Sequence, residues 1–238
     1  VLAQADGGTI IGGEFESING VQRHNLARLT PGGQLDLAWR ADVEANPNSN
    51  GVIHVLAADD AGNIYVGGWF IQVQGEPRES LARLSSAGVL DPLWHPSVSG
   101  VVHTLATVQQ SNLVYLGGVF DSVDGQPAGS VARVSASGAG VFDTTWATSV
   151  SYSVVAMAVA LDGSVFIGGQ FDTAGGLPRH NVAKLSAETG LADPAWDADP
   201  DGSVEALAID NLGRLHASGD FDQIGGEARY GIARLLAD

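Results

Sequence analysis

One segment of the chain carries oxygen-bearing side chains at the spacing of a calcium loop. Asp197, Asp199 and Asp201 stand at alternate positions, Gly202 follows them, and Glu205 lies four residues after Asp201. Ca²⁺ takes hard oxygen ligands at alternate positions, and a glycine permits the tight turn between them. The spacing therefore predicts a calcium turn made of Asp197, Asp199, Asp201 and Glu205, with calcium as the cofactor that this turn suggests.

A plain structural explanation of this turn stays open. Ala208 stands where an EF-hand has its last ligand, although calcium loops of the integrin type, which this turn resembles, end earlier with an acidic residue. The aligned turns at residues 46–51 and 95–100 are also polar and also end in Gly, without any carboxylate. Backbone geometry alone therefore favours a polar turn that ends in Gly at this place.

A second set of candidate ligands occupies equivalent positions in four predicted strands. These positions hold His54, His103, Val155 and Glu205. If the four strands line one central channel, two imidazoles and a carboxylate face it. These groups would bind a transition metal such as Zn²⁺ or Mn²⁺, or a small polar ligand. Val155 interrupts the set, however, and the wall of a solvated channel explains the same residues equally well.

Two aromatic residues are candidates for sugar binding. Trp69 stands at a position where the other copies of the repeat described below have unrelated residues, so the repeat itself does not require a Trp there. An exposed Trp or Tyr ring stacks well on a sugar, which makes Trp69 and Tyr230 possible ligand-binding residues. Local packing is the alternative explanation for Trp69.

The sequence contains none of the common catalytic motifs. It has no Gly-x-Ser-x-Gly elbow, no phosphate-binding loop and no His-Glu-x-x-His helix, and the absence of Cys excludes thiolate nucleophiles and Cys-bound metals. A glycosidase would need two or three converging carboxylates, whereas only Glu205 stands at a suitable position. We therefore predict that the protein is not an enzyme, and a glycan hydrolase or lyase using Glu205 and the channel histidines is the alternative.

The elements that must position these residues come from an internal repeat of about fifty residues. A glycine pair marks each copy, a Phe follows two residues later, and an apolar-Ala-basic-apolar block comes next. An Asp-x-x-Trp connector separates successive copies and occurs four times. The five pairs are Gly12-Gly13, Gly67-Gly68, Gly117-Gly118, Gly168-Gly169 and the variant Ser218-Gly219. The four connectors contain Asp36 and Trp39, Asp91 and Trp94, Asp143 and Trp146, and Asp193 and Trp196.

Each copy reads as a set of short strands, and no helical periodicity is present. In the second copy the strands are predicted at residues 52–58, 63–70 and 80–85. Short antiparallel strands at this repeat length predict an all-β fold, a five-bladed β-propeller that fills residues 1–238 as a single domain. The predicted blades are residues 1–45, 46–99, 100–150, 151–201 and 202–238. If the connector is an outer strand rather than a bridge between blades, the last blade is one strand short.

The repeat resembles a known family. The glycine pair, the Phe, the Ala-Arg-Leu block and the following Leu-Asp, as in residues 81–91, are similar to the delta-60 type tandem repeat over essentially the whole chain. That resemblance implies a β-propeller in a secreted or surface-attached bacterial protein of unassigned function. The apolar run before the glycine pair and the later Trp also resemble kelch propellers, more loosely.

Charge and composition narrow the range of partners. The formal net charge is −16, which repels nucleic acid phosphates and anionic lipid headgroups, and no apolar run is long enough for a membrane span. Nine of the 11 basic residues stand at two repeat positions, namely an Arg after the Gly-rich turn and the basic residue of the Ala-basic block. We expect each of them to pair with a recurring Asp.

These observations predict a non-catalytic interaction or scaffold module. We expect it to bind a protein or glycan partner through loops on one face, outside the cell or at the bacterial cell surface, with no nucleic acid partner and no membrane insertion. The sequence begins at Val1, and we expect the chain to be part of a larger protein or assembly. The alternative is a lectin-like propeller that binds sugars through Trp69 and Tyr230.

Overall fold

The computed structural model describes residues 1–45, 52–108, 111–146 and 148–236. The described residues form 24 strands, and none of them lies in a helix that could cross a membrane. The polar turn predicted at residues 46–51 lies outside this part of the chain. The protein is therefore all-β in its described part, as the sequence predicts.

The strands fall into five repeat units, called units one to five. Unit one contains β1 (Leu2–Ala3), β2 (Thr9–Gly12), β3 (Ser17–Ile18), β4 (Val21–Gln22) and β5 (Leu26–Leu29). Unit two contains β6 (Val43–Ala45), β7 (Val52–Ala58), β8 (Ile64–Val73), β9 (Glu76–Pro77) and β10 (Leu81–Leu84). Unit three contains β11 (Val98–Thr107), β12 (Leu113–Val123), β13 (Gln126–Pro127) and β14 (Val131–Ser135). Unit four contains β15 (Ser153–Val159), β16 (Val165–Gln170), β17 (Thr173–Ala174), β18 (Leu177–Pro178) and β19 (Val182–Leu185). Unit five contains β20 (Ser203–Ile209), β21 (Leu215–Asp220), β22 (Gln223–Ile224), β23 (Glu227–Ala228) and β24 (Ile232–Leu235).

Each unit is built on one antiparallel sheet of three strands. The glycine pair is in the middle strand, which pairs with an inner strand on one side and an outer strand on the other. In chain order these trios are β1-β2-β5, β7-β8-β10, β11-β12-β14, β15-β16-β19 and β20-β21-β24. The strand predicted at residues 63–70 extends to Val73, and β6 and β11 begin two or three residues before the predicted blade boundaries.

In units two to five the second residue of the glycine pair lies beside a β-bulge of the inner strand. In unit three the register shifts between Val102 and Thr104, opposite Gly118 and Gly117, so the bulged residue is His103. The bulge presses the inner strand against the middle strand, and a Cβ at Gly118 would collide with the carbonyl oxygen of Val101. The same shift occurs in units two, four and five. A side chain at Gly118, Gly169 or Gly219 is therefore incompatible with the sheet, whereas a Cβ at Gly13 in unit one would have room.

The first glycine of the pair allows neighbouring units to approach. A Cβ at Gly117 would lie 2.6 Å from Cγ1 of Val154 in the next inner strand, and a Cβ at Gly67 would lie 2.7 Å from Cγ1 of Val102. Four buried clusters, each joining side chains of consecutive units, form the core. Among the described residues, the strands of units five and one do not pack together as those of neighbouring units do.

The connector serves both as an edge strand and as a bridge. Its first residues pair with the outer strand of the preceding unit, as Leu90 does with Leu84, and the N–H of Asp91 donates to the carbonyl of Arg83. Its Trp94 is fully buried and donates Nε1–H to the carbonyl oxygen of Ser135 in the next unit at 2.8 Å. Trp39, Trp146 and Trp196 make the equivalent bond to a backbone carbonyl of the following unit.

The basic residues follow the predicted pairing in part. The Ala-basic residues pair with the connector Asp of their own unit, at N···O distances of 2.5 to 3.6 Å: Arg28 with Asp36, Arg83 with Asp91, Arg133 with Asp143, and Lys184 with Asp193. The predicted pairing with Asp is wrong for two of the Arg residues that follow the Gly-rich turn. The buried Arg23 and Arg78 donate to backbone carbonyls, including those of Leu37 and Asp91, because their heads are enclosed by the connector backbone.

Candidate functional site

A cavity of about 770 Å³ lies between units one and two and is called the interunit cleft. Part of its wall is formed by β1 (Leu2–Ala3) and the turn that follows it. The cleft is lined by residues 2–6, Arg28, Asp36, Ala38, Trp39, residues 58–60, Gly62, Ile64, Ser86 and Ala87. Several turns at one end of the two sheets therefore surround it.

Arg28 organises one wall of the cleft. Its guanidinium donates to Oε1 of Gln4 at 2.5 Å and to Oδ2 of Asp36 at 2.5 Å, and it also pairs with Asp6. Burial of Asp36 opposes ionisation, but hydrogen bonds from Arg28 and from backbone N–H groups outweigh it and lower the pKa of Asp36. The single cation of the lining is thus already committed to carboxylates.

Asp59 stands on the opposite wall and is held by its neighbours. The Tyr65 hydroxyl donates to Oδ2 of Asp59 at 3.0 Å, and the N–H groups of Ala61 and Asn63 donate to Oδ1 of Asp59. Burial and the adjacent Asp59 carboxylate raise the pKa of Tyr65 to about 12. With Asp6, Asp36 and Asp60, the cleft presents four carboxylates and one guanidinium. It is therefore negative at neutral pH.

The predicted channel residues are the bulged residues of the inner strands. The register shifts place His54, His103, Val155 and Glu205 at the bulges of units two to five. The His54 and His103 rings are in contact, with centroids 4.6 Å apart and planes inclined at 65°. Burial lowers the pKa of both imidazoles, and the neighbouring His54 lowers that of His103 further. Both rings are therefore neutral at pH 7.

The His pair makes the stability depend on pH in a defined direction. Because the folded-state pKa of each ring lies below its ordinary value of 6.5, the unfolded chain binds these protons first as the pH falls. We expect the free energy of unfolding to decrease from about pH 6.5 downward, and the variant with His54→Gln and His103→Gln to lose less between pH 7.5 and 5.5. Urea unfolding at the two pH values measures this. An equal loss in both proteins would contradict the prediction.

The histidines do not gather the ligands that a metal requires. The described residues contain no group of three or more His, Cys, Asp or Glu side chains that could hold a metal ion, so Glu205 does not complete a site with His54 and His103. Glu205 is exposed on its own strand. The ligand role of these three residues stays a prediction.

The acidic turn has other partners for its carboxylates. Asp197 pairs with Arg179 at 3.2 Å, and Asp199 contacts Nδ1 of His180 at 2.7 Å, which raises the pKa of that imidazole. Asp201 accepts hydrogen bonds from the N–H groups of Asp222 and Gln223. The Ser151 hydroxyl accepts the equivalent pair of bonds in unit four, so a carboxylate is not required there. The calcium turn of Asp197, Asp199, Asp201 and Glu205 stays a prediction.

The two candidate aromatic residues are both accessible. The exposed fraction is 43% for Trp69 and 79% for Tyr230. They lie in different units, Trp69 on β8 and Tyr230 just before β24. A role in sugar stacking is open to each of them separately.

Sequence reasoning missed the interunit cleft. Its lining comes from turns of two units, and no single position of the repeat indicates a cavity there.

The class of protein that this fold defines is the β-propeller type, and comparisons with known proteins agree. The sequence profile of a family described as "Domain of unknown function (DUF5122) beta-propeller" matches residues 4–38 and 62–93. No curated protein matches the sequence. The delta-60 and kelch resemblances are not among the matches and stay predictions.

Solved structures resemble the fold at low sequence identity. The WD40 β-propeller domain of Doa1 matches with a TM-score of 0.62 and 12% identity, over 99% of this chain and 62% of that one. PorZ, a bacterial surface component of the type-IX secretion system of Porphyromonas gingivalis, matches with a TM-score of 0.53 and 14% identity, over the whole of this chain and 32% of that one. The chain thus spans under two thirds of the length of either protein.

Proposed function

We propose that the protein is a non-catalytic interaction module whose five units are propeller blades, and that it binds a protein partner through the interunit cleft. The observation that carries this proposal is the cleft itself, which is formed by turns at one end of the sheets. Its volume falls in the range of pockets that hold ligands. The partner inserts a basic segment into it.

The chemistry of the lining selects a cation attached to an apolar stem. Leu2, Trp39 and Ile64 supply apolar surface, and the carboxylates of Asp6 and Asp60 stand in the same lining. A Lys or Arg side chain matches this combination, since its methylene stem packs on apolar atoms while its head pairs with a carboxylate.

The charge of the whole protein favours the same partner. The formal charge of −16 creates a field that attracts basic surfaces and accelerates their encounter with the cleft. Partners with phosphate groups or acidic surfaces are repelled by the same field. The protein therefore discriminates by charge before any close contact forms.

A location outside the cell is part of this proposal. PorZ is described as a surface component, and its similarity over the whole of this chain supports a surface role for the present protein. The Doa1 and PorZ chains are both longer than this one, which supports a module that works as part of a larger protein or assembly.

Titration with acetylated tetralysine amide tests the proposed function. We expect saturable NMR shift changes at Gly62, Ser86 and Ala87, at physiological salt. The variant with Asp6→Asn and Asp60→Asn should bind about fivefold more weakly, because each exposed ion pair contributes a fraction of a kcal/mol.

A matched pair of substitutions provides the control. Asp162→Asn together with Asp222→Asn removes the same charge from other turns and should leave the affinity nearly unchanged. Shift changes spread over the whole acidic surface, or equal weakening in both variants, would show that tetralysine binds by net charge alone and would overturn the cleft as the site.

Sugar binding is the second candidate, and the exposure of Trp69 favours it. The lateral position of Trp69 on β8 leaves its ring open to a flat sugar face. A glycan array in which no binding depends on Trp69 would remove this candidate. The absence of catalysis stays a prediction, as does the alternative of a hydrolase or lyase.

A further inference from the structure

A second cavity lies in unit three and is called the unit-three pocket. It encloses about 430 Å³ and lies between β13, the start of β14 and the connector that follows β14. Val131, Phe142 and Trp146 give its lining an apolar part, and Thr144 and Thr148 belong to its polar part. No charged side chain of the described residues lines it. A ligand that fits here therefore meets apolar atoms and neutral hydrogen-bonding groups.

The other four units carry an arginine at the repeat position that borders this pocket. In each of them Nη1 of the arginine donates to the carbonyl of the preceding residue, with N···O distances between 2.6 and 2.9 Å. In units one, two and four Nη2 also donates to a backbone carbonyl of the connector. The space between the hairpin and the connector is thus a guanidinium site that the chain itself fills. The four residues are Arg23, Arg78, Arg179 and Arg229.

Arg23 and Arg78 show that this kind of site does not need a carboxylate. Each side chain is at most 8% exposed. Among the described residues, their heads donate to backbone carbonyls, namely those of Gln22, Asp36 and Leu37 in unit one and those of Pro77 and Asp91 in unit two. Carbonyls hold a buried guanidinium here because its planar fork of N–H groups reaches several acceptors at once.

Unit three lacks this arginine. Ala128 stands at its position, and Gly129 follows where the other units have a larger polar residue. Ala128 directly follows Pro127, which lines the unit-three pocket. The pocket is therefore the space that the side chain of an arginine takes in the other units.

The acceptors of the missing guanidinium remain in the lining. Pro127 and Thr144 line the pocket, and they stand at the places of Pro77 and Leu37. The carbonyls of Pro77 and Leu37 accept hydrogen bonds from the arginines of units two and one. Arg133, the one arginine of unit three, donates instead to its own connector and to a carbonyl of unit four. The pocket thus keeps the groups of a guanidinium site without the guanidinium.

An unpaired hydroxyl lies in the same pocket. Oγ1 of Thr148 is buried and has no hydrogen-bond partner among the described residues, and Thr148 is part of the lining. The equivalent residues of the other connectors, Ala41, Pro96 and Ala198, have no hydroxyl. A buried oxygen that receives no hydrogen bond is unfavourable. A donor placed in the pocket would satisfy it.

We propose that the unit-three pocket binds the guanidinium group of a ligand, either an Arg side chain of a partner or a small guanidinium compound. The group donates to the carbonyls of Pro127 and Thr144 and to Oγ1 of Thr148, while the methylene stem packs on Phe142 and Trp146. A planar guanidinium suits these separate acceptors better than a compact ammonium. The negative charge of the protein raises the local concentration of either ligand.

The unit-three pocket selects its ligand in a different way from the interunit cleft. The cleft presents carboxylates, which attract any cation, whereas the lining of the pocket has no charged side chain in the described part of the chain. The pocket therefore discriminates by hydrogen-bond geometry. The variant with Asp6→Asn and Asp60→Asn should bind a guanidinium ligand in the pocket as the unchanged protein does, which keeps the tests of the two sites separate.

Titration with ethylguanidinium chloride tests the proposal. The intact protein is followed by NMR at pH 7 and physiological salt, and we expect saturable shift changes at the amides of Val131, Thr144 and Ser149, with a Kd below about 20 mM. Ethylammonium carries the same charge and should bind at least about fivefold more weakly, because it cannot reach the separate acceptors together.

Three variants locate the site. Ala128→Arg should weaken binding at least about tenfold, because the chain then supplies the guanidinium itself. Ala195→Arg adds the same charge at an exposed position of the fourth connector and should leave the affinity nearly unchanged. Thr148→Val removes one acceptor and should weaken binding about threefold, and it tests the site even if Ala128→Arg does not fold, which circular dichroism reports.

A second ligand identifies the source of the guanidinium. N-acetyl-arginine amide that binds at least as tightly as ethylguanidinium would support an Arg side chain of a partner, whereas binding of ethylguanidinium alone would support a small compound. No saturable change up to about 50 mM would overturn the proposal. Equal binding of ethylguanidinium and ethylammonium, or affinity that Ala128→Arg and Thr148→Val leave unchanged, would overturn it as well.

Discussion

Gly118→Ala is expected to lower the free energy of unfolding by at least about 3 kcal/mol, because the new methyl group has no room. Its Cβ would fall on the carbonyl oxygen of Val101, which is backbone and can move only if the inner strand leaves its register. The bulge at His103 holds that carbonyl in place. Urea unfolding followed by circular dichroism measures the loss.

Gly32→Ala is the matched control for this substitution. The nearest heavy atom to a Cβ at Gly32 is Oγ1 of Thr30 at 3.8 Å, so the change should alter stability by less than about 1 kcal/mol. Gly169→Ala should behave like Gly118→Ala, since its Cβ would meet the carbonyl of Ser153 in the same way. If Gly118→Ala and Gly32→Ala are equally stable, the close approach of the strands at the bulge is refuted.

Trp94→Ala is expected to cost about 4 kcal/mol of folding free energy. The ring is completely buried between units two and three, and its loss leaves a large cavity together with an unpaired carbonyl of Ser135. Tyr65 and Arg83 also lose their contacts with the indole. The same denaturation experiment measures the effect.

Trp69→Ala is the comparison for Trp94→Ala, because both substitutions remove a Trp but only Trp94 belongs to a connector. Trp69 is 43% exposed and is not a connector residue, so its removal should cost less than about 2 kcal/mol. A cost for Trp94→Ala no larger than that for Trp69→Ala would show that the connector does not hold neighbouring units together.

Much of the architecture could be predicted from the sequence because the repeat constrains it. Five copies that align without gaps in the Gly and Phe positions must adopt the same local structure, and alternation of apolar residues identifies strands. The pairing of Arg28, Arg83, Arg133 and Lys184 with connector aspartates was predictable for the same reason. In each of these four units one basic residue recurs together with one connector Asp. Such a recurrence of opposite charges implies that the two side chains are in contact.

The bulge could not be predicted, because its effect on register depends on both strands of the pair. A bulged residue is specified by what lies opposite to it, and His54, His103, Val155 and Glu205 share no side-chain chemistry. Sequence alignment identified these four as equivalent positions. It gave no indication that His54 and His103 touch while Glu205 stands apart.

The interunit cleft could not be predicted, because a repeat pattern describes each unit and not the space between two units. Its lining joins Asp6 and Asp36 of unit one to Asp60 and Ser86 of unit two. Only the arrangement of the two neighbouring units brings these residues together.

The connector imposes an order on the folding of the chain while the ribosome synthesises it. Trp39 is bonded to the carbonyl of Ser86, which is 47 residues further on, and the later tryptophans reach 40 or 41 residues ahead. Translation at roughly 5–20 residues per second makes each unit wait several seconds for the sequence that secures its connector. The nascent protein therefore matures vectorially from the N-terminal unit, always carrying one unfinished interface at its growing end.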